Sequence, residues 1–328
     1  MPVSYTLTVE QIAQRLKTRR EINQETVLVL GSRAGGLFHS ERFYDILGKY
    51  SPSYHSFYQL NRAGQFTQCF GILTNKTFGE AEIYNILKQS LHEVEVTYAD
   101  VHIADLIQHG HFQEIISANV DNILEQALLR SEMIKEPPEP RAQHEPEVLI
   151  PGRGLLTEHH APPYQHLSPY RITKVFGDLL SREHNITRRT GCIQANSTFS
   201  AFIQHILKGN ILLVGIDPVW DEELLMAVPA GEEGQVWIVS DEDPEQNQQF
   251  RRISQIRPTD CLIGRNGNPE HFAPSLYFSL YGGPPILQLR DIFRYLQRIL
   301  NEQQDMHENI RRLHEEIHQM AHQEEQQL

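Results

Sequence analysis

The sequence is poor in cysteine, with 3 in 328 residues at Cys69, Cys192 and Cys261. They lie far apart and form no CxxC pair. That spacing argues against a disulfide framework and a structural zinc, and it points to the cytosol. No run of about 18 apolar residues occurs, so no helix is expected to span a membrane. The opening MPVSYTLTVEQ lacks both a charged n-region and an apolar h-region, so no secretory leader is expected. Basic residues are outnumbered, 29 Lys and Arg against 42 Asp and Glu, for a net charge of −13. An acidic balance disfavours nucleic acid and anionic lipid as partners. No GxSxG, HExxH, P-loop or kinase signature is present, so α/β-hydrolase, metalloprotease and P-loop NTPase readings have no support. What is present is ordinary for a globular chain, 40% hydrophobic and 22% charged residues. The length suits one large α/β domain or two small ones, at roughly 100–200 residues per domain.

The first helix signal is Thr8 followed three residues later by Gln11, a capping-box pattern ahead of Ile12 and Leu16. It predicts an N-terminal helix within residues 1–25. Its basic run of Arg15, Lys17, Arg19 and Arg20 reads as a solvated face, with phosphate contact as the sharper alternative. Residues 27–30 form a continuous apolar run that stops at Gly31. Such runs mark strands buried on both faces, as in a parallel sheet. Residues 114–119, 211–216 and 235–240 read the same way. Residues 170–177 alternate and suggest a strand nearer an edge. Helical patterns separate these strands, which implies βαβ units and an open, mainly parallel sheet. The region 38–110 is too long for one crossover helix and predicts a helical insertion capping the sheet. Residues 133–169 hold 8 of the 18 prolines and little periodicity, and read as a long loop or lid.

Beyond residue 286 the apolar positions step by three and four. Leu289, Leu296, Gln303, Ile310 and Ile317 take heptad position a, and Ile292, Ile299, Met306, Leu313 and Met320 take d. This predicts a coiled-coil helix over 286–328 and self-association through 289–320. A terminal helix packed on its own domain is the plainer alternative, but the apolar stripe is narrow for that. His307, His314, His318 and His322 on this helix read as its polar surface. An i,i+4 His pair with no third ligand is weak support for zinc.

In an open parallel sheet, ligands bind outside the carboxyl ends of the strands. Four strand ends carry the candidate chemistry. They are Gly31-Ser32-Arg33-Ala34-Gly35-Gly36, then Ser117-Ala118-Asn119-Val120-Asp121-Asn122 with ILEQAL after it, then Val175-Phe176-Gly177-Asp178, and finally Val214-Gly215-Ile216-Asp217-Pro218-Val219-Trp220-Asp221. In this order and spacing the set resembles the sirtuin-like family, in particular the bacterial NAD-hydrolysing branch of antiphage defence. The resemblance covers about residues 26–285 and implies a Rossmann-like α/β domain with a helical insertion.

The resemblance implies roles position by position. Gly31, Ser32, Arg33, Gly35 and Gly36 would contact the phosphates of NAD or ADP-ribose. Asn119 would hold the nicotinamide ribose or the attacking water, with Asp121 beneath that pocket. Phe176 and Gly177 would line the site, and Gly215 with Asp217 would flank the adenosine side. The chain also departs from the family pattern. Phe176 stands where the family has its catalytic histidine, Arg33 replaces a glycine, Ser117-Ala118 replaces two threonines, and Ile216-Asp217 replaces Tyr-Ser. A phenyl ring accepts no proton, so general-base help worth about 10²–10⁴-fold is lost at that position. His159, His160, His166 and His184 are the candidate substitutes, each also readable as an exposed loop histidine. The expectation is a nucleotide-binding, catalytically impaired subunit or sensor of a bacterial defence or signalling assembly. An active NAD glycohydrolase using Asn119 and a non-binding coiled-coil assembly protein are the alternatives.

Overall fold

A computed structural model describes residues 6–75, 78–132, 147–150, 169–181, 183–185, 192–231 and 233–283. The chain divides into two compact units, Met1–Gly283 and Pro284–Leu328. The coiled-coil expectation over 286–328, and with it the four tail histidines, lies outside the described residues.

The first unit opens with α1 (Val9–Glu21), started by the expected capping box. The Gln11 N–H donates to Thr8 Oγ1 at 3.3 Å, and the Thr8 N–H donates to Gln11 Oε1 at 2.9 Å. Strand β1 (Thr26–Leu30) follows and is buried along its whole length. Six helices come next: α2 (Gly36–His39), α3 (Glu41–Gly48), α4 (Tyr54–Gln59), α5 (Arg62–Asn75), α6 (Glu80–Leu91) and α7 (Tyr98–Gln108). Then come β2 (Glu114–Ser117), α8 (Ile123–Glu132), β3 (Glu147–Leu149), β4 (Arg171–Lys174), β5 (Gly177–Asp178) and β6 (Glu183–His184). The unit closes with α9 (Ser197–Ile206), β7 (Asn210–Val214), α10 (Glu222–Met226), β8 (Val236–Ser240), α11 (Gln248–Ile256), β9 (Thr259–Ile263) and α12 (Pro269–Tyr281).

Among the described residues seven strands form one sheet in the order β3-β4-β2-β1-β7-β8-β9, and every pairing in it is parallel. The class is therefore a Rossmann-like, mainly parallel α/β fold. The short β5–β6 ladder is antiparallel and separate from it.

The apolar runs are continuous because both faces of the sheet are covered. Val27 and Val29 of β1 pack into a layer with α3, α5, α6, α9 and α11. Leu28 and Leu30 face the opposite layer, built from α1, α7, α8 and α12. The helices expected as one cap over 38–110 thus divide. Those from α3 to α6 cover one face, while α7 crosses to the other and packs on α8 and α12. Helix α1 packs on α12 within the same unit.

Three points add to the sequence reading. β4 lies second from the sheet edge, in keeping with its alternation, yet all four of its residues are buried and β3 covers its outer side. Two of its polar residues are internal ion-pair partners. Arg171 reaches Glu114 at 3.7 Å, and Lys174 reaches Glu125 and Asp178, each at 2.7 Å. Second, the stretch 133–169 is not wholly loop, because Glu147–Leu149 pairs with β4. Third, β9 was not anticipated, since its apolar run is short and begins with Thr259 and Asp260. The buried Asp260 accepts from Arg15 at 2.7 Å and from Gln235 at 2.5 Å, partners that only the fold supplies.

Candidate functional site

The strand order reverses at β1, whose neighbours are β2 on one side and β7 on the other. The carboxyl ends of β1, β2, β4 and β7 bring the four sequence motifs together. Asn119 Nδ2 donates to the Gly31 carbonyl at 3.1 Å, and a Cβ on Gly35 would land on the Asn119 side chain. A Cβ on Gly31 would collide with the backbone of Gly215 and Ile216. The Leu179 N–H donates to the Val120 carbonyl at 2.8 Å, tying the end of β4 to the Asn119 loop.

The Gly-rich turn is a dense knot of backbone donors, and every N–H from 31 to 36 has an acceptor in the chain. Gly31 donates to Val214 at 2.9 Å, Arg33 to Gly215 at 2.8 Å, Ala34 to Gly31 at 3.0 Å and Gly35 to Ser32 at 3.4 Å. The remaining two meet carboxylates. The Ser32 N–H donates to Asp221 at 2.8 Å, and the Gly36 N–H donates to Asp121 at 2.9 Å. The Ser32 hydroxyl also bonds Asp221, which takes the Asp217 N–H at 2.8 Å as well. In this conformation protein carboxylates occupy the positions that the resemblance gives to phosphate.

Asp121 is committed in the same manner. One oxygen takes the Gly36 N–H at the start of α2, and the other takes the Ile123 N–H at 3.2 Å at the start of α8. A carboxylate at converging helix N-termini is well placed as a cap. The loop carrying it is pinned from below by the buried Lys174, whose ammonium donates to the Asp121 carbonyl at 2.6 Å. Burial works against that charge, but Glu125 and Asp178 outweigh it and raise the lysine pKa. Glu125 itself is pushed up by burial.

Phe176 is fully buried within the apolar layer that holds Val175, Leu179 and Ile193. Its neighbour Gly177 has a φ of +88°, a left-handed conformation that a side chain resists. Of the candidate substitute bases, His159, His160 and His166 lie outside the described residues. His184 stands opposite Gly177 across the β5–β6 ladder. Burial pushes its pKa down, and its Nδ1 is enclosed with no hydrogen-bond partner.

Arg33 is the residue whose setting the sequence least foretold. Its side chain is 9% exposed, and its Nε lies 3.0 Å from the buried Asp217. Its Nη1 faces two surface carboxylates, Glu242 at 3.2 Å and Asp241 at 3.7 Å. Burial opposes the charge, yet Asp217 and Glu242 more than offset it and raise the pKa. Asp217 also closes its own turn by accepting the N–H groups of Val219 and Trp220, each at 2.9 Å.

Concavities open at this edge, and two of them bear on the site. The one beside Asn119, Asp121, Asp100 and His39 has a volume of about 30 Å³, room for about two waters. The other is a cleft of about 580 Å³ over Arg33, bounded by Asn61, Thr67 and Gln68 of the α4–α5 region, by Val219 and by Glu242 and Asn247. Its wall is fixed by Trp220, which donates to the Phe66 carbonyl at 2.8 Å and stacks on the Phe66 ring at 4.5 Å. Gln68 Oε1 is enclosed there without a hydrogen-bond partner. Sequence reasoning missed Thr67, Gln68 and Glu242 as cleft residues, since nothing local marks them. Asp221 sat in the quoted motif, and its spacing of four from Asp217 was the one available signal.

Among the described residues no cluster of three His, Cys, Asp or Glu side chains is arranged to hold a metal ion, and no helix is long and apolar enough to cross a membrane. No family model matches the chain, and no curated protein matches it.

Proposed function

We propose that this chain is a sirtuin-like module that binds an NAD- or ADP-ribose-type nucleotide without efficient hydrolysis. One observation carries the reading. The cleft of about 580 Å³ lies where the strand order of an open parallel sheet reverses, with Arg33 at its base. That is the location such sheets use for ligands, and the cleft is a shallow depression open to solvent on its outer side. Arg33 is held by Asp217 on its inner edge, while its outer edge meets only half-exposed carboxylates. These two carboxylates are half-exposed and can turn into water, so a pyrophosphate can take their place.

Weak turnover follows from what surrounds Asn119. Phe176 belongs to the core, Asp121 is engaged as a helix cap, and the space beside Asn119 holds about two waters. The heptads of 289–320 add self-association, and the module would then act as an oligomeric subunit or sensor in a bacterial antiphage-defence or signalling assembly. The test pairs calorimetric titration of ADP-ribose with detection of nicotinamide release from NAD. Binding lost in Arg33→Ala, with nicotinamide at background, is the expected result. Robust turnover abolished by Asn119→Ala would install the active glycohydrolase reading, which the adjacency of Asn119 and Gly35 favours. No binding of either nucleotide would leave the assembly reading.

A further inference from the structure

Two residues of the basic run leave the solvated face of α1. Arg15 and Arg19, four positions apart, turn in over the amino ends of β1, β8 and β9, the sheet edge opposite the cleft over Arg33. Their guanidiniums lie over the ring of the buried Trp237, with Cζ 5.8 Å and 4.0 Å from its centroid. Both donate to one neutral oxygen, Gln235 Oε1, Arg15 at 3.4 Å and Arg19 at 3.3 Å. Arg19 also meets the Thr26 hydroxyl at 3.4 Å, and Arg15 meets Asp260 at 2.7 Å. Among the described residues Asp260 is the one carboxylate paired with either arginine. Two cations thus share one anion, a local cationic excess in a chain of net charge −13. Burial, and then Arg15, push the Arg19 pKa down to about 10.

We propose that Arg15 and Arg19 form a binding site for a phosphate-type oxyanion at the amino edge of the sheet. An oxyanion laid against the solvent side of the pair supplies the missing counter-charge. The planar fork of a guanidinium matches phosphate oxygens, and an aromatic floor orders that fork before the ligand arrives. The Arg15 side chain is 38% exposed, so the ligand reaches the pair without displacing a protein carboxylate. Two charge-assisted contacts support a dissociation constant on the order of 1 mM. The ligand is free phosphate or the phosphoryl group of a small monoester, and the pair engages the same oxygens in either.

The experiment titrates the full chain with inorganic phosphate and with glycerol 3-phosphate, chloride holding the ionic strength constant. Tryptophan emission and the urea midpoint are both read. Arg19 lies on Trp237, so binding should change the emission saturably and raise the midpoint. Phosphate salts stabilise folded proteins in general, so the midpoint readout is the difference between wild type and variant. Arg19→Gln should weaken binding by about ten-fold or more. Gln235→Glu sets a carboxylate between the two guanidiniums and should abolish the response while leaving both arginines in place. Arg33→Ala should keep it, since that cleft lies at the other edge. A stronger response to the monoester assigns the ligand as a phosphorylated small molecule, and an equal or weaker one assigns free phosphate. No saturable response to either ligand overturns the site. So does a midpoint response that persists in Arg19→Gln, or one that Arg33→Ala removes, which would belong to the cleft.

Discussion

The carboxylate of Asp221 accepts the backbone N–H of Ser32 at 2.8 Å, and so joins the turn after β1 to the turn after β7. Asp221 is fully buried, bonds the Ser32 hydroxyl and takes the Asp217 N–H at 2.8 Å. An internal anion thus organises the donors of the Gly-rich turn. Removing it strands buried donors, each costing about 1–3 kcal/mol. Asp221→Ala should lower stability by about 3 kcal/mol, and Asp221→Asn by less, since its amide oxygen still accepts the Ser32 N–H. Urea unfolding of the two variants checks both the size and the order.

Gly31 and Gly35 lie in the same turn but should respond differently to a methyl group. At Gly31 the new Cβ meets the backbone of Gly215 and Ile216, which cannot rotate away. At Gly35 it meets the side chain of Asn119, which can swing out by giving up its 3.1 Å bond to the Gly31 carbonyl. Gly31→Ala should cost more than about 3 kcal/mol or fail to fold, and Gly35→Ala about 1–2 kcal/mol. Thermal melts separate the two, and equal losses would mean the Asn119 side chain is as fixed as backbone.

Acid should destabilise the domain partly through His111. Burial, followed by the nearby Arg20, His109 and Lys17, pushes its pKa from 6.5 down to about 4. Its Nε2 bonds the Tyr281 hydroxyl at 2.8 Å, and its Nδ1 is enclosed without a partner. The unfolded chain takes up this proton near the ordinary value, and the folded chain resists it. The stability is therefore full above about pH 6.5 and is lost as the pH falls toward about 4. The loss should be about 2 kcal/mol, and His111→Gln should flatten it. Urea midpoints at pH 7.5 and pH 5 give the comparison, and an unchanged slope in the variant would show that other groups carry the acid response.

Self-association should depend on the heptad seam. Deleting 301–328 removes Gln303, Ile310 and Ile317 from position a and Met306, Leu313 and Met320 from d, so the proposed oligomer should shrink or dissociate. His307→Ala, on the polar surface, should barely change it. Light scattering on both variants gives the mass. An unchanged mass after deletion would place the association elsewhere.

Four of the strands in the large sheet were legible as apolar runs, because a strand covered on both faces carries its signal in every residue. The Thr8–Gln11 capping box was legible too, being written within four residues. So was the gathering of Gly31, Asn119 and Gly215 at one edge, since parallel strands send all their carboxyl ends to one side. β4 and β9 show where that reading stops. Their buried Arg171, Lys174 and Asp260 look like surface residues until Glu114, Glu125 and Arg15 arrive from elsewhere in the chain. The sequence by itself determined the α/β class and the edge on which the motifs meet, through patterns local to each segment. Only the tertiary structure decided that Asp121 and Asp221 occupy the turn's donors, that Phe176 joins the core, and that the open space lies over Arg33. Those outcomes rest on contacts between residues up to 189 positions apart, and no local pattern encodes which polar group reaches a given donor first.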